Sequence, residues 1–417
     1  MNCSKLFAGT ILDCYLVPVS YTYDNIVEGT FLDELIGIPK TRESVFGVFC
    51  AVVKGFGKSK QCGVDYIVAL KEVSISCDVI PQLERISHPY SYRELLPWDS
   101  AHMEKPYERN LIQAIGYHIV YEAQSMVSIS LVSVGVPLKL LYADCQWLCD
   151  QVIRDGSDVM GWHMGETCSR NAVEYALPYL GNCIVRRVTL ETKEIEIVLS
   201  SAHRQLICVA YNKNALLPLF ALRSAIGLVM MSRAPEECKY KNIIEDTALI
   251  CDWMQFEVIF CKPCDDIREV IAVTIGRERL GHIQHGLLRL KEDGVFGSGN
   301  CTEVEIRDIM SRHILLFYSN FLRPFIQSLY IVIDRLLQGD HIVDESATIR
   351  KWCQLCVASE YLMPFSLLLE AVNSDSFRNS LRLLRHKGIL SEDSEYFNVL
   401  EGENMRARLI KLLTVEQ

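Results

Sequence analysis

From residue 14 to residue 23 the chain carries no formal charge, and carboxylates return immediately at Asp24 and Glu28. A charge-free run rich in Val and Tyr suits a strand buried on both faces, and such strands need helices to cover them. In open α/β sheets ligands collect outside the carboxyl edge of the strands, which is where Asp24 and Glu28 fall. Pro18 supplies no ladder donor, so it marks a bend or a break in pairing. An ordinary core strand followed by a solvated loop is the plainer reading of the same residues.

The wording of this stretch also carries a resemblance. Asp13-Cys14-Tyr15-Leu16-Val17-Pro18-Val19-Ser20, then Tyr23-Asp24, Glu28, Glu34-Leu35-Ile36-Gly37-Ile38-Pro39-Lys40 and Glu43-Ser44 resemble the last of four signatures in the glycerol-3-phosphate and dihydroxyacetone-phosphate acyltransferases. The dihydroxyacetone-phosphate branch matches best, and the glycerol-3-phosphate branch is the runner-up. Residues 110–122, 143–159, 204–231 and 313–336 resemble helical segments of the large enzymes of this family, in order. The resemblance implies transfer of a fatty acyl group from acyl-CoA, a co-substrate with no further cofactor, to a phosphorylated three-carbon acceptor. It implies ether-lipid or glycerophospholipid synthesis. Pro18 would shape the substrate loop, and Tyr23, Asp24 and Glu28 would line the pocket edge. A peripheral site on the peroxisomal membrane follows from the closest branch, and the mitochondrial outer membrane is the alternative.

The family's chemistry uses a His that takes the acceptor hydroxyl proton and an Asp five positions later that orients the imidazole, a general-base dyad. None of the ten histidines has Asp at that spacing; His341 comes nearest, with Asp344 three residues on in a polar stretch that reads as a loop or helix start. The Arg-Ser-Arg phosphate grip of the family, where guanidinium forks hold phosphate, is also missing. Gly276-Arg277-Glu278-Arg279 is the nearest string and reads as a solvated helix surface. The expectation is an amino-terminally truncated family member that does not catalyse acyl transfer unaided. A non-catalytic helical module that docks on a full-length acyltransferase or on a membrane is the reading from a different class.

Composition fits a large globular chain: 417 residues, half of them apolar, 23% charged. A net charge of −10 with no basic run argues against nucleic acid as a partner. Seventeen scattered cysteines favour a reducing compartment, where Cys acts as a small apolar residue. Cys261/Cys264 and Cys353/Cys356 have metal-ligand spacing, yet they lie too far apart for a compact zinc module. The most apolar segments, 215–231 and 314–333, are interrupted by Pro218 and Arg223 and by Arg323-Pro324. They predict buried core helices ahead of helices lying on a membrane surface, and no segment is long enough to span a bilayer. No secretory signal opens the chain, and Thr414-Val415-Glu416-Gln417 is not a Ser-Lys-Leu peroxisomal address.

The predicted architecture is an α/β remnant of an acyltransferase sheet followed by a predominantly α-helical domain. Residues 1–85 read as strand, helix, strand, with a helix at 44–53 and a strand at 63–70, the remnant of a doubly wound sheet. Residues 86–109, broken by Pro89, Pro97 and Pro106, read as a linker, and 110–417 as the helical domain. Within it, 183–199 predicts a short hairpin and 376–387 a helix closing at Gly388. Residues 390–399 predict a strand, giving a small wing-like finish that packs on the helical body.

Overall fold

The computed structural model describes residues 15–16, 19–23, 29–38, 64–68, 73–74, 136–154, 169–188, 194–200, 202–214, 216–234, 237–261, 265–280, 287–292, 301–358 and 363–414. Helices make up most of these residues. In chain order the elements are β1 (Tyr15–Leu16), β2 (Val19–Tyr23), α1 (Gly29–Leu35), β3 (Val64–Val68), β4 (Val73–Ser74), β5 (Val136–Pro137), α2 (Leu138–Arg154) and α3 (Ser169–Leu180). A 3-10 turn at Gly181–Cys183 leads into β6 (Ile184–Val188), β7 (Ile195–Leu199), α4 (His203–Asn214), α5 (Leu217–Met231), α6 (Tyr240–Trp253) and α7 (Ile267–Leu280). The chain continues through β8 (Leu288–Glu292), β9 (Cys301–Ile306), α8 (Ile309–Leu337), α9 (Glu345–Val357), a 3-10 turn at Leu369–Ala371, α10 (Ser374–His386) and α11 (Val399–Leu413).

The strands at 19–23 and 64–68 exist, but they do not pair as a doubly wound sheet requires. β2 and β3 run antiparallel, Val19 opposite Val68 and Tyr23 opposite Val64. β1 and β4 form a second two-stranded pair, also antiparallel, with Leu16 opposite Val73. Alternating apolar residues serve either strand direction, so the sequence pattern could not exclude this pairing. The helix predicted at 44–53 and the linker at 86–109 lie outside the described residues. The hairpin predicted at 183–199 is present as β6 and β7, with β5 added on the far edge of β7.

The core is organised around α5 and α8. α5 is apolar almost all round, as a helix enclosed by others must be, and buries Phe220, Ala221, Ala225, Ile226, Leu228 and Val229. Phe220 stacks on Tyr318 at 5.5 Å between ring centroids and meets Phe321 at 5.2 Å. Trp147 from α2 approaches Phe317 edge-on at 5.3 Å. Arg223, which breaks the apolar run of α5, spreads its guanidinium over the Tyr318 ring at 5.7 Å. Arg323, 5% exposed, donates from Nη2 to the Leu413 carbonyl at 2.8 Å, a cation closing the carboxyl end of α11. Both apolar segments are therefore core helices, and no described helix is long and apolar enough to cross a membrane.

Pro324 lies inside α8 and removes one ladder donor. Just ahead of it Ser224 of α5 bonds the backbone of α8: its hydroxyl donates to the Ser319 carbonyl at 3.3 Å and accepts from the Leu322 amide at 3.0 Å. Close approach of the two helices is permitted by Gly227, where a Cβ would stand 2.8 Å from the Leu315 carbonyl oxygen. The cysteine pair of α9, Cys353 and Cys356, is buried, and burial pushes the thiols up to about 12 and about 11. Among the described residues no group of acidic, His and Cys side chains is gathered as a metal site.

The carboxyl-terminal wing is corrected. α10 closes as predicted at Gly388, whose φ of +67° lets the Gly388 and Ile389 amides return to the Arg385 and Leu384 carbonyls. After it, residues 390–398 make a tight turn joined by one bridge, Leu390 to Phe397, in place of a strand, and α11 starts at Val399 under an Asn398 cap. Ser391 Oγ accepts from the Tyr396 amide at 3.0 Å and Asp393 Oδ1 from the Glu395 amide at 3.1 Å, so local polar side chains satisfy the backbone before a ladder can extend.

Candidate functional site

The described residues of the signature region are β1, β2, and α1 with residues 36–38, and α1 is held against the helical body by α4, α9 and α10. α1 ends in a glycine closure: Gly37 takes φ +83°, its amide reaches Glu34 O at 3.0 Å, and the Ile38 amide reaches Asp33 O at 2.8 Å. A Cβ on Gly37 would lie 3.4 Å from Arg350 Cα and 3.5 Å from Cys353 Cβ, so glycine serves both the turn and the contact with α9. Leu32 and Leu35, on one face of α1, bury against Ile207 of α4. Arg204 Nε donates to Asp33 Oδ1 at 2.6 Å, and Ser374 Oγ of α10 donates to Glu34 O at 2.9 Å.

Magnitudes rank these contacts. The Arg204–Asp33 side chains are 43% and 35% exposed, which places the ion pair at about 0.2–1 kcal/mol. Each buried leucine contributes about 1.5–3 kcal/mol. Apolar burial holds the seam, and the ion pair sets its register.

Behind the seam, α4 grips the turn at 369–373 at both ends. His203 Nε2 lies 3.1 Å from Leu369 O and 3.0 Å from Val372 O. Two carbonyls can only accept, so this nitrogen carries the proton and donates to both. Burial lowers the His203 pKa, against the raising effect of the two carbonyls. Lys213 Nζ reaches both Glu370 oxygens, at 2.6 and 2.5 Å, with the lysine side chain 9% exposed. Ser328 of α8 donates to Ala371 O at 2.6 Å. A small cavity of about 40 Å³ opens between Leu35, Tyr211, Phe325 and Glu370. A larger cleft of about 250 Å³ separates residues 255–259 from α10, where the Arg382 guanidinium sits 4.5 Å from the Phe256 ring centroid.

Of the site residues predicted from sequence, Tyr23 is the last residue of β2, paired with Val64. Pro18, Asp24 and Glu28 lie outside the described residues. Gly276 and its Arg-rich neighbours are in the last turns of α7. His341 is exposed and Asp344 caps α9 through the Ala347 amide, as the loop-or-helix-start reading predicted. The sequence reading passed over Asp33, His203, Arg204, Lys213, Glu370 and Ser374, which build the seam and its support. The spacing of His203, Arg204, Ile207 and Tyr211 along one helix face was the available signal.

The geometry anchors a signature-bearing element on a helical body, and the comparisons with known proteins bear on which enzyme such a body serves. The sequence model described as the glycerol-3-phosphate acyltransferase C-terminal region matches residues 31–393. The chain belongs to that family. It is 38% identical, over 97% of its length, to a Caenorhabditis elegans protein named probable glycerol-3-phosphate acyltransferase, mitochondrial. It is 24% identical to the Sus scrofa and 23% to the Homo sapiens protein named glycerol-3-phosphate acyltransferase 1, mitochondrial, over 69% of this chain in each case. The chain spans 60% of the worm relative and 39% of these mammalian ones. These relatives favour the glycerol-3-phosphate branch over the dihydroxyacetone-phosphate branch placed first from the signature wording. They are named mitochondrial, and they lend no support to the peroxisomal and ether-lipid expectations.

Proposed function

We propose that this chain supplies the helical body and the fourth-signature edge of a glycerol-3-phosphate acyltransferase, acting in glycerolipid synthesis at the mitochondrial outer membrane. Acyl-CoA is the donor and glycerol 3-phosphate the acceptor. The observation that carries the reading is the seam: Leu32, Asp33, Glu34 and Leu35 of the signature region are fixed on α4 and α10, within a chain of the glycerol-3-phosphate acyltransferase family. Pro18, Tyr23, Asp24 and Glu28 form the substrate edge in this reading, ahead of the anchored helix.

The chain contributes position and enclosure rather than the proton acceptor. No histidine in the sequence has the Asp spacing of the family dyad, and His203 spends Nε2 as a donor to Leu369 and Val372. A general base needs an unprotonated nitrogen within reach of the acceptor hydroxyl. The test uses the full 417-residue chain, labelled palmitoyl-CoA, and glycerol 3-phosphate or dihydroxyacetone phosphate, with and without a family segment bearing His-x4-Asp fused ahead of Met1. Transfer is expected from the fusion alone, with kcat/KM about tenfold higher for glycerol 3-phosphate, a difference of about 1.4 kcal/mol in transition-state binding. Turnover by the chain alone, no turnover by the fusion, or preference for dihydroxyacetone phosphate overturns the reading.

A further inference from the structure

The cleft of about 250 Å³ between residues 255–259 and α10 has no part in the acyl-transfer reading. Its helical wall follows from spacing: Asp375, Arg378, Asn379 and Arg382 recur every three or four residues, so one face of α10 carries them while Phe377, Leu381 and Leu384 bury another. The facing wall brings the Phe256 ring and the Glu257 carboxylate. The Glu257 and Val258 amides there already donate to the Met254 carbonyl, at 2.9 and 3.0 Å. Donors for a ligand therefore come from α10.

The Arg382 guanidinium sits 4.5 Å from the Phe256 ring centroid, and His386, one turn on, meets the same ring edge-on at 5.7 Å. Stacking holds a guanidinium by its face and leaves the N–H edge in the plane, where an acceptor is met. Arg378 Nη1 donates to Asp375 Oδ1 at 2.6 Å, and the rest of its fork carries further N–H donors. Asn379 stands between the two arginines on this face, and its side-chain amide has no hydrogen-bond partner among the described residues. Forked guanidiniums and an amide match the oxygens of a phosphate. Charge adds a second requirement. Asp375 and Glu257 balance Arg378 and Arg382 in the cleft, so a bare anion gains no net field, and a ligand that also carries a cation uses both signs. The cleft is smaller than the roughly 300–1,000 Å³ of drug-sized sites, which leaves no room for an acyl chain.

We propose that this cleft binds a phosphate ester bearing a primary ammonium, with phosphoethanolamine the simplest such group. The phosphate lies on Arg378, Asn379 and Arg382, and the ammonium lies toward Asp375 and Glu257. The group exists free and as a phospholipid headgroup, and recognition is the same for both. This inference is independent of the proposed acyl transfer.

The experiment titrates the full chain with phosphoethanolamine, inorganic phosphate and ethanolamine by isothermal calorimetry. Phosphoethanolamine should bind about tenfold tighter than either part, because each part leaves one sign of charge in the cleft unanswered. Arg378→Gln and Asn379→Ala should each weaken phosphoethanolamine about tenfold, whereas Arg408→Gln, on the exposed face of α11, should leave it unchanged. Asp375→Asn should tighten inorganic phosphate and weaken phosphoethanolamine, since it frees Arg378 and removes a partner of the ammonium; a merely structural role would not move the two ligands in opposite directions. Sedimentation with phosphatidylcholine vesicles, with and without phosphatidylethanolamine, separates the sources, because the trimethylated nitrogen of choline has no N–H to donate. Selective sedimentation with phosphatidylethanolamine puts the group on a bilayer, and binding of the free compound without it puts the group in solution. Equal affinity for phosphate and phosphoethanolamine, affinity untouched by Arg378→Gln and Asn379→Ala, or neither free binding nor selective sedimentation overturns the proposal.

Discussion

His203 is a half-buried imidazole used as a neutral donor, and this gives it a defined pH signature. Its folded pKa lies below the ordinary value of 6.5 because burial disfavours the cation. The unfolded chain therefore binds a proton at this site before the native chain does. The stability that His203 contributes is fully present above about 6.5 and is lost as pH falls from there toward the folded pKa. Urea unfolding of wild type and His203→Gln between pH 5 and pH 8 should show a shallower acid-side loss in the variant, which keeps an amide donor for the two carbonyls. An identical pH slope in both proteins would mean that His203 titrates alike folded and unfolded. The neighbouring Lys213–Glu370 pair works on the same turn by charge, and a buried pair of this kind is costly to split because one charge remains without its counterion.

At the scale of elements, the α5–α8 contact shows how a helix can be apolar and still not belong to a bilayer. Ser224 bonds the Ser319 carbonyl and the Leu322 amide of α8, and Gly227 lets the backbones approach. Gly227→Ala places a methyl 2.8 Å from Leu315 O, a backbone atom that moves only with its helix. Overpacking of that kind costs about 1–3 kcal/mol, beyond the gain in helix propensity of about 1 kcal/mol from replacing glycine. Thermal unfolding should place Gly227→Ala below wild type, whereas Gly276→Ala, with open space around its Cβ position on α7, should be neutral or stabilised. A stabilised Gly227→Ala would refute the close approach. The helices themselves were legible: the apolar segments 215–231 and 314–333, read as core helices, lie in α5 and α8, and the resemblance that placed helices over 204–231 and 313–336 fits α4, α5 and α8. The break between α4 and α5 follows from Pro218, set in the first turn of α5 where proline is tolerated. The strand predicted at 390–399 failed because alternation over a few residues cannot distinguish a ladder from a turn closed by its own serine and aspartate side chains.

For the whole molecule, the issue is what joins the signature region to the helical body. Arg204→Ala removes an exposed ion pair and should cost at most about 1 kcal/mol, leaving the seam closed. Leu35→Asp puts a carboxylate among Leu32 and Ile207 and should release α1, so that limited proteolysis cuts within residues 29–38 while the body stays protected. Equal protease resistance in both variants would show that α1 is held by something other than this apolar contact. The charge-free run from residue 14, the signature wording and the missing His-x4-Asp were all readable in the sequence, because they depend on residue identity and short spacing alone. So were the helical majority and the glycine stop at Gly388, which are set by local periodicity and by a positive φ. The antiparallel pairing of β2 with β3 and the union of Asp33 with Arg204 across 171 residues were decided by tertiary structure. Each depends on which surfaces long-range burial brings together, and no local spacing in the chain encodes that choice.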